Sequence, residues 1–124
     1  IAQGEANLLI VGPGRSGKTL LTSALLSEIS SAERVTTIEE IPEFVGSAIN
    51  VEQLVSRPAD DGRGVSVSDL FQIALKRSAR RLIVSELKNE EASHFLHALE
   101  VGFRGCVASS YGEYSEDGLW RLLD

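Results

Sequence analysis

Short runs of apolar, often β-branched residues recur along the chain, and the segments between them carry apolar residues at helical spacing. Asn7-Leu8-Leu9-Ile10-Val11 is apolar without alternation, the pattern of a strand buried on both faces. Glycines follow at once, and then Leu20, Leu21, Ala24 and Leu25 fall at the intervals of one helix face. Arg34-Val35-Thr36-Thr37-Ile38-Glu39 predicts a second strand carrying Glu39 and Glu40 at its carboxyl end. Asn50 to Arg57 predicts a third, at a sheet edge, and Pro58 to Gly64, rich in Pro, Asp and Gly, reads as a loop. Ser66 or Ser68 caps a helix with Leu70, Phe71, Ala74 and Leu75 on one face. Arg81-Leu82-Ile83-Val84-Ser85-Glu86 is another buried strand that ends on a carboxylate. A helix from Glu90 turns Ala92, Phe95, Leu96 and Leu99 inward and stops at Gly102, a residue suited to a left-handed cap. Gly105 to Tyr111 predicts a last strand and Glu116 to Leu123 a last helix. This alternation predicts an α/β fold, a mostly parallel sheet flanked by helices on both faces.

Composition narrows the function classes. The 124 residues, 43% hydrophobic and 24% charged, suit one packed domain. Lys and Arg number 12 against 18 Asp and Glu, a net charge of −6, so the basic footprint needed for counterion release is missing and direct nucleic-acid binding is not expected. The apolar runs are far shorter than the ~20 residues of a membrane-spanning helix. A single cysteine, Cys106, fits a reducing compartment, which makes the cytoplasm the expected location. The chain opens at Ile1 without the charged segment of a signal peptide and reads as an excerpt of a longer polypeptide.

Gly12-Pro13-Gly14-Arg15-Ser16-Gly17-Lys18-Thr19 fits G-x-x-x-x-G-K-[ST], and it stands between a predicted strand and a predicted helix, the context the pattern requires. Backbone N–H groups must approach a phosphate more closely than Cβ atoms permit, hence the glycines, and the helix N-terminus adds partial positive charge. Lys18 then reaches the β- and γ-phosphates and the Thr19 hydroxyl ligates Mg²⁺. ATP and Mg²⁺ are the expected ligands. Glu86 is expected at the carboxyl edge of the sheet beside this loop, as general base or as a partner of the metal's outer sphere. Glu39 and Glu40 occupy the same edge on another strand, where either helps hold metal-bound water. A cation must meet charge developing on the γ-phosphate, often from a neighbouring subunit, and Arg57, Lys76, Arg77, Arg80 and Arg81 are the candidates. His94 and His97 share a helical face without a third ligand nearby, so they read as surface residues. A guanine-reading Asn-Lys-x-Asp motif is missing and no Arg-rich lid follows the loop, which argues against a GTPase or a small kinase.

Four ordered motifs give the sequence a family resemblance. It resembles the secretion-superfamily traffic ATPases of type II and type IV secretion and type IV pili, most closely the tight-adherence, CpaF-like branch. The phosphate loop is followed by an acidic box, Thr37-Ile38-Glu39-Glu40-Ile41-Pro42-Glu43, and by an Arg-Pro segment, Ser56-Arg57-Pro58. Ser68-Asp69-Leu70 and Ala74-Leu75-Lys76 match the next pattern, and Arg81 to Glu86 with Glu91-Ala92 matches the variant Walker B. The resemblance implies a RecA-like P-loop ATPase domain over residues 1–124, with the family's N-terminal domain and C-terminal helices outside it. It also implies a hexameric ring with ATP between subunits, and as partners the inner-membrane secretion or pilus platform, which places the ring on the cytoplasmic face.

Three departures bear on rate. The family's His box, Gly-x-x-Thr-Thr-x-His-Ala-Asn, aligns with Gly105 to Glu113 and places Tyr111 at the histidine. Lys76 and Ser78 stand at arginine positions, and lysine cannot supply the bidentate fork of arginine. Ser85 replaces the Walker B glycine. The expectation is therefore a motor ATPase, slowed by Tyr111; the alternative is a weakly active or inactive nucleotide-binding paralogue that regulates or scaffolds a secretion complex.

Overall fold

Strands and helices alternate in the computed structural model, which describes residues 6–44, 50–77 and 79–123; Ser78 lies outside them. In chain order the elements are β1 (Leu8–Gly12), α1 (Lys18–Ser27), β2 (Val35–Glu39), β3 (Val51–Val55), α2 (Val67–Leu75), β4 (Arg81–Val84), α3 (Asn89–Glu100), β5 (Val107–Tyr111) and α4 (Ser115–Leu123). The sheet runs β1-β5-β4-β2-β3 with every described pairing parallel. As predicted, the fold is α/β with helices on both faces, and β3, none of whose residues is fully buried, lies at the sheet edge.

Side-chain alternation assigns each face its helices. Leu82 and Val84 join Ile38, Phe71, Ala74, Phe95, Ala98 and Ala108 in a core between the sheet and helices α2 and α3. Ile83 points the other way and packs with Val35, Val107, Leu26 and Ile29 under α1. An all-parallel sheet is stable only with both faces covered, and β2 and β4 are accordingly buried along their whole length. Local chemistry ends the helices where the sequence predicts. Ser66, not Ser68, caps α2: its hydroxyl accepts from the Asp69 amide at 3.1 Å, and the Asp69 carboxylate accepts from the Ser66 amide at 2.9 Å. Gly102 adopts φ 114° after α3, with its N–H on Leu99 O and that of Phe103 on Ala98 O, a Schellman closure.

Strand order is the difference from the expectation that matters for the site. β5 is inserted between β1 and β4, so Glu86, at the end of β4, is not on the strand next to the phosphate loop. Two interstrand spacings separate β1 from β4, roughly 10 Å.

Candidate active site

The loop between β1 and α1 is shaped by the residues of the motif. A Cβ on Gly12 would stand 2.5 Å from Ser16 Oγ, so a side chain there would displace the Ser16 hydroxyl from its place in the loop. Arg15 at φ 60° and Gly17 at φ 95° turn the backbone through left-handed conformations, and Ser16 Oγ donates to Pro13 O at 2.7 Å. Above Gly14 and Gly17 the Cβ directions meet no atom within 4 Å, leaving open space over the turn. Gly17 caps α1 without a side-chain hydrogen bond, and no acid stands in the first turn. Uncapped amides, an open cradle and a lysine make a donor set that fits a phosphate chain.

Lys18 lies folded over this loop, its Nζ donating to Gly12 O at 2.7 Å and to Pro13 O at 2.8 Å. It also sits 5.9 Å from the ring centroid of Tyr111, a cation–π distance. Tyr111 is in register with Gly12 and 42% exposed, so the residue at the family's histidine position does stand beside the loop. Thr19 Oγ1 donates to Glu43 Oε2 at 2.9 Å. Glu43 belongs to the quoted acidic box, yet the sequence did not mark it as a site residue; the signal was its place four residues after a strand-end glutamate.

The other predicted acids part company. Glu39 is 0% exposed: Oε1 accepts from the amides of Glu43 at 2.8 Å and Phe44 at 2.9 Å, and Oε2 from Gln53 Nε2 at 2.6 Å and Thr37 Oγ1 at 3.2 Å. It stands at the carboxyl end of β2 as expected, but its side chain is buried, on the same side of β2 as Thr37. Glu40 is exposed and pairs with Lys88 Nζ at 2.7 Å. That contact is the main cause holding the Lys88 ammonium above its usual pKa, with Glu86 and Glu91 adding charge. Glu86 is exposed just past β4. Its turn is fixed from both neighbouring strands: Ser85 N donates to Ile38 O at 3.0 Å, Leu87 N donates to Ser109 O at 2.7 Å, and the Ser109 hydroxyl bonds the Ser85 carbonyl.

Arg57 is apart from the phosphate loop. It forms an antiparallel bridge with Val65, its Nη2 donates to Arg63 O at 3.1 Å, and it lines a cleft of about 740 Å³ with Glu40, Ile41, Asp69 and Glu91. His94 stacks on Phe71 at 5.7 Å, and His97 faces Glu100 at 3.8 Å.

A family model described as type II/IV secretion system protein matches residues 1–124. The chain belongs to this family. Among related proteins, the type IV secretion system protein PtlH of Bordetella pertussis is 34% identical over 118 residues, which are 93% of this chain and 35% of PtlH. VirB11 of Bartonella quintana is 32% identical over 108 residues, 85% of this chain and 30% of the relative. The crystal structure of the VirB11 ATPase of Brucella suis in complex with sulphate superposes with TM-score 0.83 at 28% identity, covering 95% of this chain and 34% of that one. The Legionella pneumophila ATPase DotB gives TM-score 0.64 at 28% identity, covering 96% of this chain and 33% of DotB. This secretion-family chain thus spans about a third of the length of such relatives, and its sheet has the RecA-like core arrangement of the VirB11 ATPase.

Proposed function

We propose that this chain is the nucleotide-binding core of a secretion-system motor ATPase. The observation that carries the reading is the open loop Gly12–Thr19 with its metal-ligand candidate already oriented, Thr19 on Glu43 at 2.9 Å. Backbone amides of Gly14 to Thr19 bind the phosphates of ATP, and Lys18 leaves the Gly12 and Pro13 carbonyls for the β- and γ-phosphate oxygens. Thr19 would hold Mg²⁺ through its hydroxyl oxygen, since its O–H is donated to Glu43 and leaves the oxygen lone pairs free for the metal. When bound, Mg²⁺ neutralises charge on the phosphate oxygens. Glu86 orients and deprotonates the attacking water, and the Glu40–Lys88 pair holds the neighbouring turn. Arg57 serves the nucleotide of a neighbouring subunit in a hexameric ring. The whole protein works at the cytoplasmic face of a membrane platform, whose proteins take up the ring's motion.

A specific observation favours the second reading, a slow regulator or scaffold. Tyr111 at the loop donates a hydrogen bond but cannot carry the positive charge that histidine acquires. Titration with a slowly hydrolysed ATP analogue and steady-state ATPase assays decide, with Lys18→Ala as the blank. The proposal expects Mg²⁺-dependent binding in the parent, severe weakening in the variant, and turnover in the full-length protein. Equal affinity in parent and Lys18→Ala overturns it, and binding without turnover leaves the scaffold.

A further inference from the structure

Glu39 is the one buried carboxylate among the described residues, and the mechanism above gives it no contact with substrate. Burying such a group is costly unless each lone pair finds a donor, and here four donors converge on it. Two of the four, the amides of Glu43 and Phe44, are consecutive, and both meet the same oxygen, Oε1. They belong to the segment that follows β2, so this oxygen fixes where the Glu43–Phe44 backbone lies against the sheet. The other oxygen is anchored on rigid structure: Thr37 lies on β2, Gln53 on β3, and these two residues are in register. The side chain thus bridges the sheet to a turn, and the residue the turn presents is Glu43, which holds the Thr19 hydroxyl.

We infer that Glu39 is a positioning residue that, from inside the protein, sets Glu43 against Thr19 and so orients the hydroxyl toward Mg²⁺. The inference rests on the reading of Gly12–Thr19 as an Mg·ATP loop. It explains why a carboxylate, and not an amide, stands at this place. The Glu43 and Phe44 amides can only donate, so an oxygen must face them; a glutamine meets all four only if Thr37 and Gln53 both turn to accept from its NH₂, and its neutral carbonyl then holds the two amides more weakly than a carboxylate does. An aspartate, one methylene shorter, cannot span from the strand pair to both turn amides.

The test separates position from fold. In the full-length protein, Glu39→Gln is compared with the parent for ADP affinity in EDTA, for Mg²⁺ stimulation of ATP-analogue binding, and for hydrogen exchange at the Glu43 and Phe44 amides. The expected result is a near-parental affinity in EDTA, Mg²⁺ stimulation reduced by about fivefold to tenfold, the size of one lost hydrogen bond, and faster exchange at both amides. Glu43→Gln should show the same Mg²⁺ defect, and adding Glu39→Gln to it should cost nothing further in Mg²⁺ stimulation, because both act on one hydroxyl. Parental Mg²⁺ stimulation in Glu39→Gln, or additive losses in the double variant, overturns the inference. If Glu39→Gln does not fold, Gln53→Ala removes a single donor from the same carboxylate and carries the same comparison, with unchanged Mg²⁺ stimulation again overturning it. A parent that itself shows no Mg²⁺-dependent binding overturns the ATPase reading first, so the two failures are distinct.

Discussion

Tyr111 is the side chain on which we propose the rate of the site depends. It stands in register with Gly12, with the Lys18 ammonium 5.9 Å from its ring. A phenol there stabilises the lysine through its π face and offers one hydroxyl, and both effects are present before and during reaction alike. Only an interaction stronger in the transition state raises kcat. Tyr111→His is therefore expected to raise kcat more than it changes KM, by up to the ~10²-fold at the low end of what one positioned proton-transfer group supplies. An unchanged kcat would shift the departure from family behaviour onto Lys76, Ser78 or Ser85. Glu86→Gln is the complementary case. It keeps the size of an exposed strand-end group and removes its basicity, so binding should persist while steady-state hydrolysis is lost. Parental turnover in that variant would pass the base to Glu43, because Glu39 is enclosed by four donors and Glu40 is held by Lys88. The loop was legible in the sequence because its chemistry is local, eight consecutive residues of which four, Gly12, Gly17, Lys18 and Thr19, are fixed by the motif. The roles of Glu39 and Glu43 were not, since they depend on which way β2 presents residue 39 and on where the chain turns after it.

The elements themselves were written in the periodicity, and their ends in single residues. Helix α2 begins at Ser66 rather than Ser68 because Asp69 stands three residues later and closes the reciprocal pair of hydrogen bonds. Ser66→Ala should cost about 1 kcal/mol of unfolding free energy near neutral pH, measured by urea titration. The backbone hydrogen bond from Ser66, followed by that from its hydroxyl, holds the Asp69 carboxyl below its ordinary pKa of 3.8. A group with a lowered folded pKa stabilises the protein above its unfolded value and loses that contribution as pH falls through the folded one. The stability gap between parent and Asp69→Asn should therefore be full at about pH 6 and close as pH drops through Asp69's lowered value. A gap that stays constant with pH would show that the carboxylate contributes by shape alone. What periodicity does not carry is adjacency. The strands β1, β4 and β5 each read as buried runs, and nothing within a buried run names its neighbour, so the insertion of β5 between the loop strand and the Glu86 strand appears only in the assembled sheet.

At the scale of the whole molecule, a parallel sheet sorts its chemistry onto one edge. The strands end at Gly12, Glu39, Val55, Val84 and Tyr111 on the same side, so the loop, the acids and Arg57 gather there, while β4 begins at Arg81 on the other. The cations near that far edge are engaged within the fold: Arg81, 4% exposed, pairs with Glu33 at 3.1 Å, Arg77 pairs with Glu52 at 3.3 Å, and Arg80 lies over Phe103 at 5.4 Å. Arg57 alone of the five candidate cations stands at the carboxyl edge, and the cleft it lines includes no residue of Gly12–Thr19. Within one copy Arg57 thus lines a different cleft from the phosphate loop, whereas head-to-tail contact in a ring would set one copy's edge against the next. Mixing tests this. Arg57→Ala and Glu86→Gln proteins should each be nearly inactive alone. In mixed rings an Arg57→Ala subunit contributes an intact Glu86 and a Glu86→Gln neighbour contributes an intact Arg57, so an equal mixture should recover toward roughly a quarter of parental turnover, the share of complete interfaces under random assembly. A mixture no faster than the sum of its parts would place Arg57 outside the shared site.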